Sequence, residues 1–411
     1  TRVEPFFSAL EASANMQRFY REHVQGFHVA VARDVWNAYT GDWYMMDSWY
    51  RAFCVAFDRC GKSSFDVAGN VIDELESLAA WVEGVYVNWF LSETNRCWVN
   101  AAEEQWSKSG YIEGVPRQRR FFDEFVMAGP KEVKRTLVIV SDAFRFEVAD
   151  ELAHRLERAT AGTAELKSMH SVFPSITEFG MAALLPHHSM GLREADMAVF
   201  LDGDVPVAST EEREVALRRR KPKGRCIQSK ALLAEKRSAG KQLVGGADVV
   251  YVYHNKVDAV GEGFNTEHMV FDACETAIED LVALVKSSIN DLTISRVLIT
   301  ADHGFLYTRN PLEERSKVSV ADASTRVVKQ GRRYLVGDEP SIDDGLFVKM
   351  NMDDIDGGTY TGLAPRECVR IKKAGPGDNY VHGGLSLQEC CVPVIEFRNR
   401  RSGAKGFEER Q

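Results

Sequence analysis

The first 130 residues place aromatic and aliphatic side chains three and four positions apart, interleaved with charges, a spacing that predicts amphipathic helices. FFSALEASANMQRFYREHVQGFHVAVARDVWNAY shows the pattern first, and AGNVIDELESLAAWVEGVYVNWFLSETNRCWVNAAEEQW repeats it with many Trp and Tyr. The stripes read as the core of a helical bundle or cap rather than as a partner surface. After Gly129-Pro130 the texture changes. RTLVIVS is a short, β-branched apolar run without polar alternation, as expected of a strand covered on both faces, and the helical stretch FEVADELAHRLERA follows it. The same rhythm returns in ADVVYVYH with HMVFDACETAIEDLVALVKSS, and in SRVLIT before DHGFLY. Strand and helix in alternation predict an α/β domain with a mostly parallel sheet. Between Lys317 and Lys373 the pattern becomes hairpin-like (KVSVADASTRVVKQGRRYLVG, then CVRIKKAG), before a last buried strand, CCVPVIEF. The predicted organisation is a helical region over residues 1–130 and an α/β domain over 131–400. That domain carries a basic insertion near 205–245 and a β-rich insertion near 317–373.

In open α/β sheets ligands bind at the carboxyl ends of the strands. Here those ends are polar: Ser141-Asp142, His254-Asn255 and Asp302-His303. Each residue also has a plain structural reading. Asp142 can cap the helix that follows. Asp302 and His303, with Gly304 permitting a tight turn, can offer two ligand atoms to one ion. Asp258, with Glu262 four residues on, can cap or solvate a loop. His382 precedes two glycines that free the backbone to turn its imidazole inward. Thr177, in SVFPSITEFGMAALL, stands at a predicted helix start, where Ser175 or Thr177 reads as an N-cap. The same geometry would also set a hydroxyl where a phosphate binds.

Composition narrows the field. The chain has 411 residues, 45% of them hydrophobic, and a net charge of −9, which argues against a generally basic nucleic-acid coat. The charge is uneven: Arg218–Lys241 holds ten Lys or Arg against one acid, Glu235. No apolar run reaches the roughly eighteen residues of a membrane span. The eight cysteines form no CxxC pair, so a reduced cytoplasmic protein without a zinc ribbon is the simplest fit. Both ends read as cuts in a longer chain.

The order Asp, Thr at a helix start, Asp in a strand-end loop, Asp-His-Gly and His-Gly-Gly resembles the alkaline phosphatase superfamily. The wording SDAFRFE, VFPSITEFG, YHNKVDAVGE, LITADHGFLY and HGGLSLQECCVPVI is similar to the PglZ family of BREX phage-defence systems, over Arg135 to Phe397. The resemblance implies an alkaline-phosphatase-like core and two divalent metal ions, Zn²⁺ or Mn²⁺ with Mg²⁺ as a further candidate. One ion would be held by Asp142, Asp302, His303 and the nucleophile Thr177, the other by Asp258, His382 and Glu262. Many superfamily members carry His where Glu262 stands, and an acidic ligand favours a harder ion. Arg145 and Asn255, beside proposed ligands, are candidates to contact phosphate oxygens, with a surface salt bridge as the plain alternative for Arg145. The implied reaction is two-metal in-line displacement on a phosphoric ester. A sulfatase is discounted, because no C/S-x-P-x-R sequence surrounds Thr177. The basic stretch, if it overhangs the site, favours a nucleic-acid phosphodiester; its plain alternative is a solvated loop. The competing readings are a partner-dependent scaffold of a phage-defence complex and a small-molecule phosphatase. Expected partners are other BREX proteins and nucleic acid, with no membrane.

Overall fold

The computed structural model describes residues 3–62, 69–130, 133–193, 196, 198–234, 237–292, 294–320, 327–338, 345–373, 375 and 377–399. Five helices open the chain: α1 (Glu4–Glu22), α2 (Ala32–Ala38), α3 (Met45–Lys62), α4 (Gly69–Glu83) and α5 (Ser92–Ser109). π-helical turns, Tyr39–Trp43 and Gly84–Leu91, bridge α2 to α3 and α4 to α5. The three- and four-residue spacing serves the interior: Ala9, Ala12, Met16 and Phe19 of α1 are buried, as are Trp36, Tyr50, Phe53, Phe90, Trp98 and Trp106. These side chains share one continuous hydrophobic cluster with the strands that follow, so the aromatic stripes are core.

Six strands form the central sheet: β1 (Thr136–Ser141), β2 (Gly162–His170), β3 (Arg225–Gln228), β4 (Val249–His254), β5 (Arg296–Thr300) and β6 (Cys391–Asn399). Their spatial order is β2-β6-β5-β1-β4-β3. Strands β3, β4, β1 and β5 are parallel, and β6 runs antiparallel to both β5 and β2. Every residue of β1, β4 and β5 is buried, which is why those runs lack polar alternation. Later helices are α6 (Phe146–Ala159), α7 (Thr177–Ala183), α8 (Thr210–Arg220), α9 (Ser229–Ala234), α10 (Arg237–Leu243), α11 (Val257–Gly261), α12 (Val270–Asn290) and α13 (Leu387–Cys390). Among the described residues no helix is long and apolar enough to cross a membrane.

The basic stretch departs from one of its expected forms. It is not a solvated loop throughout, but forms the end of α8, the edge strand β3, α9 and α10. Glu235 and Lys236 lie outside the described residues. Because β3 runs parallel to β1 and β4, residues 218–223 sit before the amino end of the strand, away from Asp142 and Asp302, whereas Lys230 follows its carboxyl end. Its first three arginines are engaged: Arg218 with Glu214 at 2.6 Å, Arg219 with Asp204 at 3.0 Å and Arg220 with Asp123 at 3.4 Å.

The β-rich segment contains a four-stranded antiparallel sheet in the order Val327–Gln330, Leu335–Gly337, Thr361–Pro365, Phe347–Asn351. Leu335, Phe347, Leu363 and Ile371 give it a small core of its own. Residues 321–326 and 339–344 of this segment lie outside the described residues.

Candidate metal centre

Register brings the strand ends together. Ser141 pairs with His254 and Val140 with Thr300, so the residues after β1, β4 and β5 emerge side by side. Asp142, Asp302 and His303 form one group whose ligand atoms all lie within 4.8 Å of one another, and Asp258, His303 and His382 form a second. His303 Nε2 is 3.6 Å from Asp142 Oδ1 and 3.5 Å from Asp302 Oδ2. Its ring stacks on that of His382, centroids 4.2 Å apart. His382 Nε2 lies 3.8 Å from Asp258 Oδ1 and 3.7 Å from Glu262 Oε1.

The electrostatics of these groups are those of donors that want a cation. Asp142 Oδ1, Asp302 Oδ2 and His382 Nδ1 are sealed from water without a hydrogen-bond partner among the described residues, a costly state for polar atoms. Burial, then the charges of Asp302 and Asp258, push the Asp142 carboxyl well above the usual carboxylate range. Burial also raises Asp258, although His382 and His303 pull the other way. For His382, burial opposes the charged form, but the Glu262 hydrogen bond and the Asp258 charge outweigh it and raise the pKa. His303 Nδ1 donates to the Gly304 carbonyl at 2.9 Å, which leaves the Nε2 lone pair facing the carboxylates. Orphaned oxygens, like-charge crowding and an imidazole fixed in the ligating tautomer fit divalent cations.

Thr177 joins this cluster: its Oγ1 is 3.2 Å from His303 Nε2. The N-cap explanation for its hydroxyl does not hold. Ile176 occupies the cap position of α7 without a side-chain bond, and Ser175 Oγ donates to the Gly384 carbonyl at 2.8 Å. Close packing sets the approach, because a Cβ at Gly180 would collide with the carbonyl oxygen of Asp302. Ala143, at φ +57°, turns the chain after Asp142 so that its N–H donates to Asp302 Oδ1 at 3.1 Å.

Four supporting residues carry no local sequence signature. Gln118 Nε2 donates to the carbonyls of Asp302 (2.6 Å) and Ala301 (3.2 Å). Tyr380 donates its hydroxyl to Asp258 Oδ1 at 2.8 Å. Arg333, fully buried in the β-rich segment, reaches Glu389 at 3.0 Å, and Glu389 accepts from the backbone of Gly384 at 2.9 Å. Asp47 of α3 accepts from Gln388 at 3.2 Å. The fold thus braces the Asp302 loop from one side and the His382 loop from another.

Two sequence-derived positions are placed elsewhere. Arg145 is buried against Asp47, Nη2 to Oδ1 2.7 Å, and faces the N-terminal helices rather than a phosphate. Asn255 is exposed and accepts from Ala259 N at 2.9 Å, which caps α11. Glu262, the residue after α11, is exposed at the rim and outside both close-packed groups, in reach of His382 alone among the proposed ligands. The mouth of the cluster opens on a cavity of about 740 Å³ lined by Thr177, Glu262, Arg332, Tyr334, Tyr380 and His382 among others.

Residues 121–397 match the family described as the BREX system PglZ alkaline phosphatase-like domain. Over 398 residues, 95% of the chain, the sequence is 34% identical to the alkaline phosphatase-like protein BrxZ of Escherichia coli O9:H4 (strain HS), covering 45% of that protein. It is 36% identical over 372 residues to the alkaline phosphatase-like protein PglZ of Bacillus cereus (strain H3081.97), covering 90% of the chain and 42% of that protein. The chain therefore spans less than half the length of these two relatives. Among solved structures, murine ectonucleotide pyrophosphatase/phosphodiesterase 5 matches with a TM-score of 0.44 and 11% identity, over 65% of this chain and 88% of that one. Phosphonoacetate hydrolase from Sinorhizobium meliloti 1021, in complex with phosphonoformate, matches with a TM-score of 0.42 and 13% identity, over 66% and 91%.

Proposed function

This chain belongs to the PglZ alkaline phosphatase-like domain family of BREX systems, and from that premise we propose that it is a metal-dependent hydrolase of phosphoric diesters with Thr177 as its nucleophile. The observation that carries the reading is the 3.2 Å approach of Thr177 Oγ1 to His303 Nε2, within a cluster whose buried carboxylate oxygens lack partners. Asp142, Asp302 and His303 would hold one ion beside Thr177; Asp258 and His382 would hold the other, with Glu262 at its open side. Bound there, divalent cations supply Lewis acidity: they lower the pKa of a hydroxyl and neutralise charge on the departing oxygen. Carboxylate-rich donors suit Mn²⁺ or Mg²⁺, and the two imidazoles also admit Zn²⁺.

In the chain's own part of the reaction, Thr177 Oγ1 attacks phosphorus in line with the departing ester oxygen. The Oγ1–P bond forms as the P–O bond breaks; the hydroxyl proton passes to solvent and the leaving alkoxide takes one up. Water then attacks the phosphothreonine and restores Thr177. Tyr380 keeps Asp258 oriented, and Gln118 fixes the backbone that carries Asp302 and His303. A cavity of about 740 Å³ beside Thr177 leaves room for the substituents of a diester.

The proposed physiological substrate is a nucleic-acid phosphodiester, met in phage defence together with other BREX proteins in a reducing cytoplasm. No disulfide is formed among the described residues, which fits such a compartment. The basic stretch lends this substrate no support through Arg218, Arg219 and Arg220, which are paired with acids before the amino end of β3. Turnover of bis-p-nitrophenyl phosphate in preference to p-nitrophenyl phosphate tests the diester preference, and the reverse preference refutes it. Thr177→Ala should abolish turnover while the circular dichroism stays unchanged; a fully active variant removes Thr177 from the role. Metal uptake without turnover of either ester would favour the scaffold.

A further inference from the structure

One wall of the site cavity comes from a part of the chain that supplies none of the proposed ligands. Gly331, Arg332 and Tyr334 of the β-rich segment face Thr177 and His382 across it. Arg332 is already committed: its guanidinium donates to the carbonyls of Lys373 (3.0 Å) and Gly375 (2.6 Å) and pairs with Asp378 at 3.0 Å. It locks two loops together and is not offered to a ligand.

Tyr334 is different. Only 7% of it is exposed, yet its hydroxyl has no hydrogen-bond partner among the described residues. Buried phenols normally find one. Its oxygen is not sealed off from water, and the residue lines the cavity while most of its ring is buried. The ring is wedged in place: a Cβ at Gly331 or at Gly383, the residue after His382, would collide with it. Gly383 adopts φ +107°, a conformation that also favours glycine. Burial, reinforced by the charge of Glu178, raises the Tyr334 pKa, so the phenol is a neutral donor at physiological pH. Glu178 itself is paired with Lys329 at 3.1 Å.

We infer that Tyr334 is a substrate-contacting residue, whose hydroxyl donates a hydrogen bond to a phosphate oxygen of the ester held at Thr177. The β-rich segment thereby takes part in substrate recognition at the metal centre. This rests on the proposed phosphoester site, so the test must separate the two.

Tyr334→Phe removes the hydroxyl and keeps the ring wedged between the two glycines. Inorganic phosphate is the probe, titrated by calorimetry into metal-replete parent and variant, since its binding needs no turnover. A hydrogen bond to a charged oxygen predicts roughly tenfold weaker phosphate binding in the variant. Metal content should be equal in the two proteins, and kcat/KM for bis-p-nitrophenyl phosphate should fall by a similar factor. Equal phosphate affinity in parent and variant overturns the inference, and so does a parent that binds no phosphate. A parent that binds phosphate more tightly than the variant but turns over no ester supports the Tyr334 contact while the hydrolase reading fails.

Discussion

Arg145 Nη2 lies 2.7 Å from Asp47 Oδ1, and both residues are sealed from water. The pair joins the N-terminal helices to the loop that carries Asp142, three residues away. Asp47 also accepts from the hydroxyls of Tyr39 (2.8 Å) and Tyr86 (2.5 Å) and from Gln388, which follows the His382 loop. One carboxylate of the helical region therefore contacts both the segment that follows Asp142 and the segment that follows His382.

Removing that carboxylate leaves a buried guanidinium with Glu147, at 3.8 Å, as its remaining acid among the described residues. Asp47→Ala is expected to cost about 3–5 kcal/mol of stability, the usual penalty for leaving one partner of a buried pair alone. Asp47→Asn, which keeps an acceptor, should cost less. Urea denaturation checks both. Residues 121–397 alone, the span of the family match, should fail to fold cooperatively, because the core is continuous with the helices.

The packing at Gly180 makes a second prediction. A methyl group there meets the Asp302 carbonyl, so Gly180→Ala must push α7, and Thr177 with it, away from the cluster. Overpacking of this kind costs about 1–3 kcal/mol. A displacement near 1 Å at a nucleophile lowers turnover by about a hundredfold. The expected signature is a folded variant with normal metal content and a large fall in kcat; unchanged kcat would show that the close approach has no bearing on Thr177.

Several of these relationships were open to sequence reading and others were not. RTLVIVS, ADVVYVYH and SRVLIT announce buried parallel strands because every residue of the strands within them is covered. The acids and imidazoles after them gather as the strand-end rule implies. Strand β3 was hidden: as an edge strand of four residues, Arg225–Gln228, it has only Cys226 and Ile227 as apolar positions, inside a basic run. Arg145 looked like a phosphate contact because it stands near Asp142, but the turn at Ala143 separates the faces the two residues serve. Asp47, Gln118, Arg333 and Tyr334 act through contacts with residues distant in sequence, for which one sequence has no local mark.

A third prediction concerns pH. His170 is fully buried, accepts from Trp106 Nε1 at 3.1 Å and bonds the Ser171 carbonyl through Nδ1 at 2.7 Å. Burial lowers its pKa from 6.5 to about 4. With the folded value below the unfolded one, the unfolded chain binds the proton first as pH falls. Stability is thus fully present above pH 6.5 and drains away toward pH 4, by an amount on the order of 3 kcal/mol. His170→Gln should flatten that acid limb in denaturation curves taken across the window; an identical limb would place the acid sensitivity elsewhere.

The ligand assignment predicts that Asp302→Ala and His382→Ala each lower bound metal, Asp302→Ala at the Thr177 side and His382→Ala at the Asp258 side. Elemental analysis of the purified variants reads this directly, and unchanged stoichiometry in either removes that residue from the ligand set.

The most direct test of the central claim is metal content measured together with diesterase activity on the same preparation, before and after stripping with a chelator and restoring Mn²⁺, Zn²⁺ or Mg²⁺ separately. The account predicts about two ions per chain, loss of bis-p-nitrophenyl phosphate turnover on stripping, recovery with at least one of the three ions, and no recovery in Thr177→Ala. A chain that takes up no metal, or that turns over the ester equally well after stripping, would contradict it.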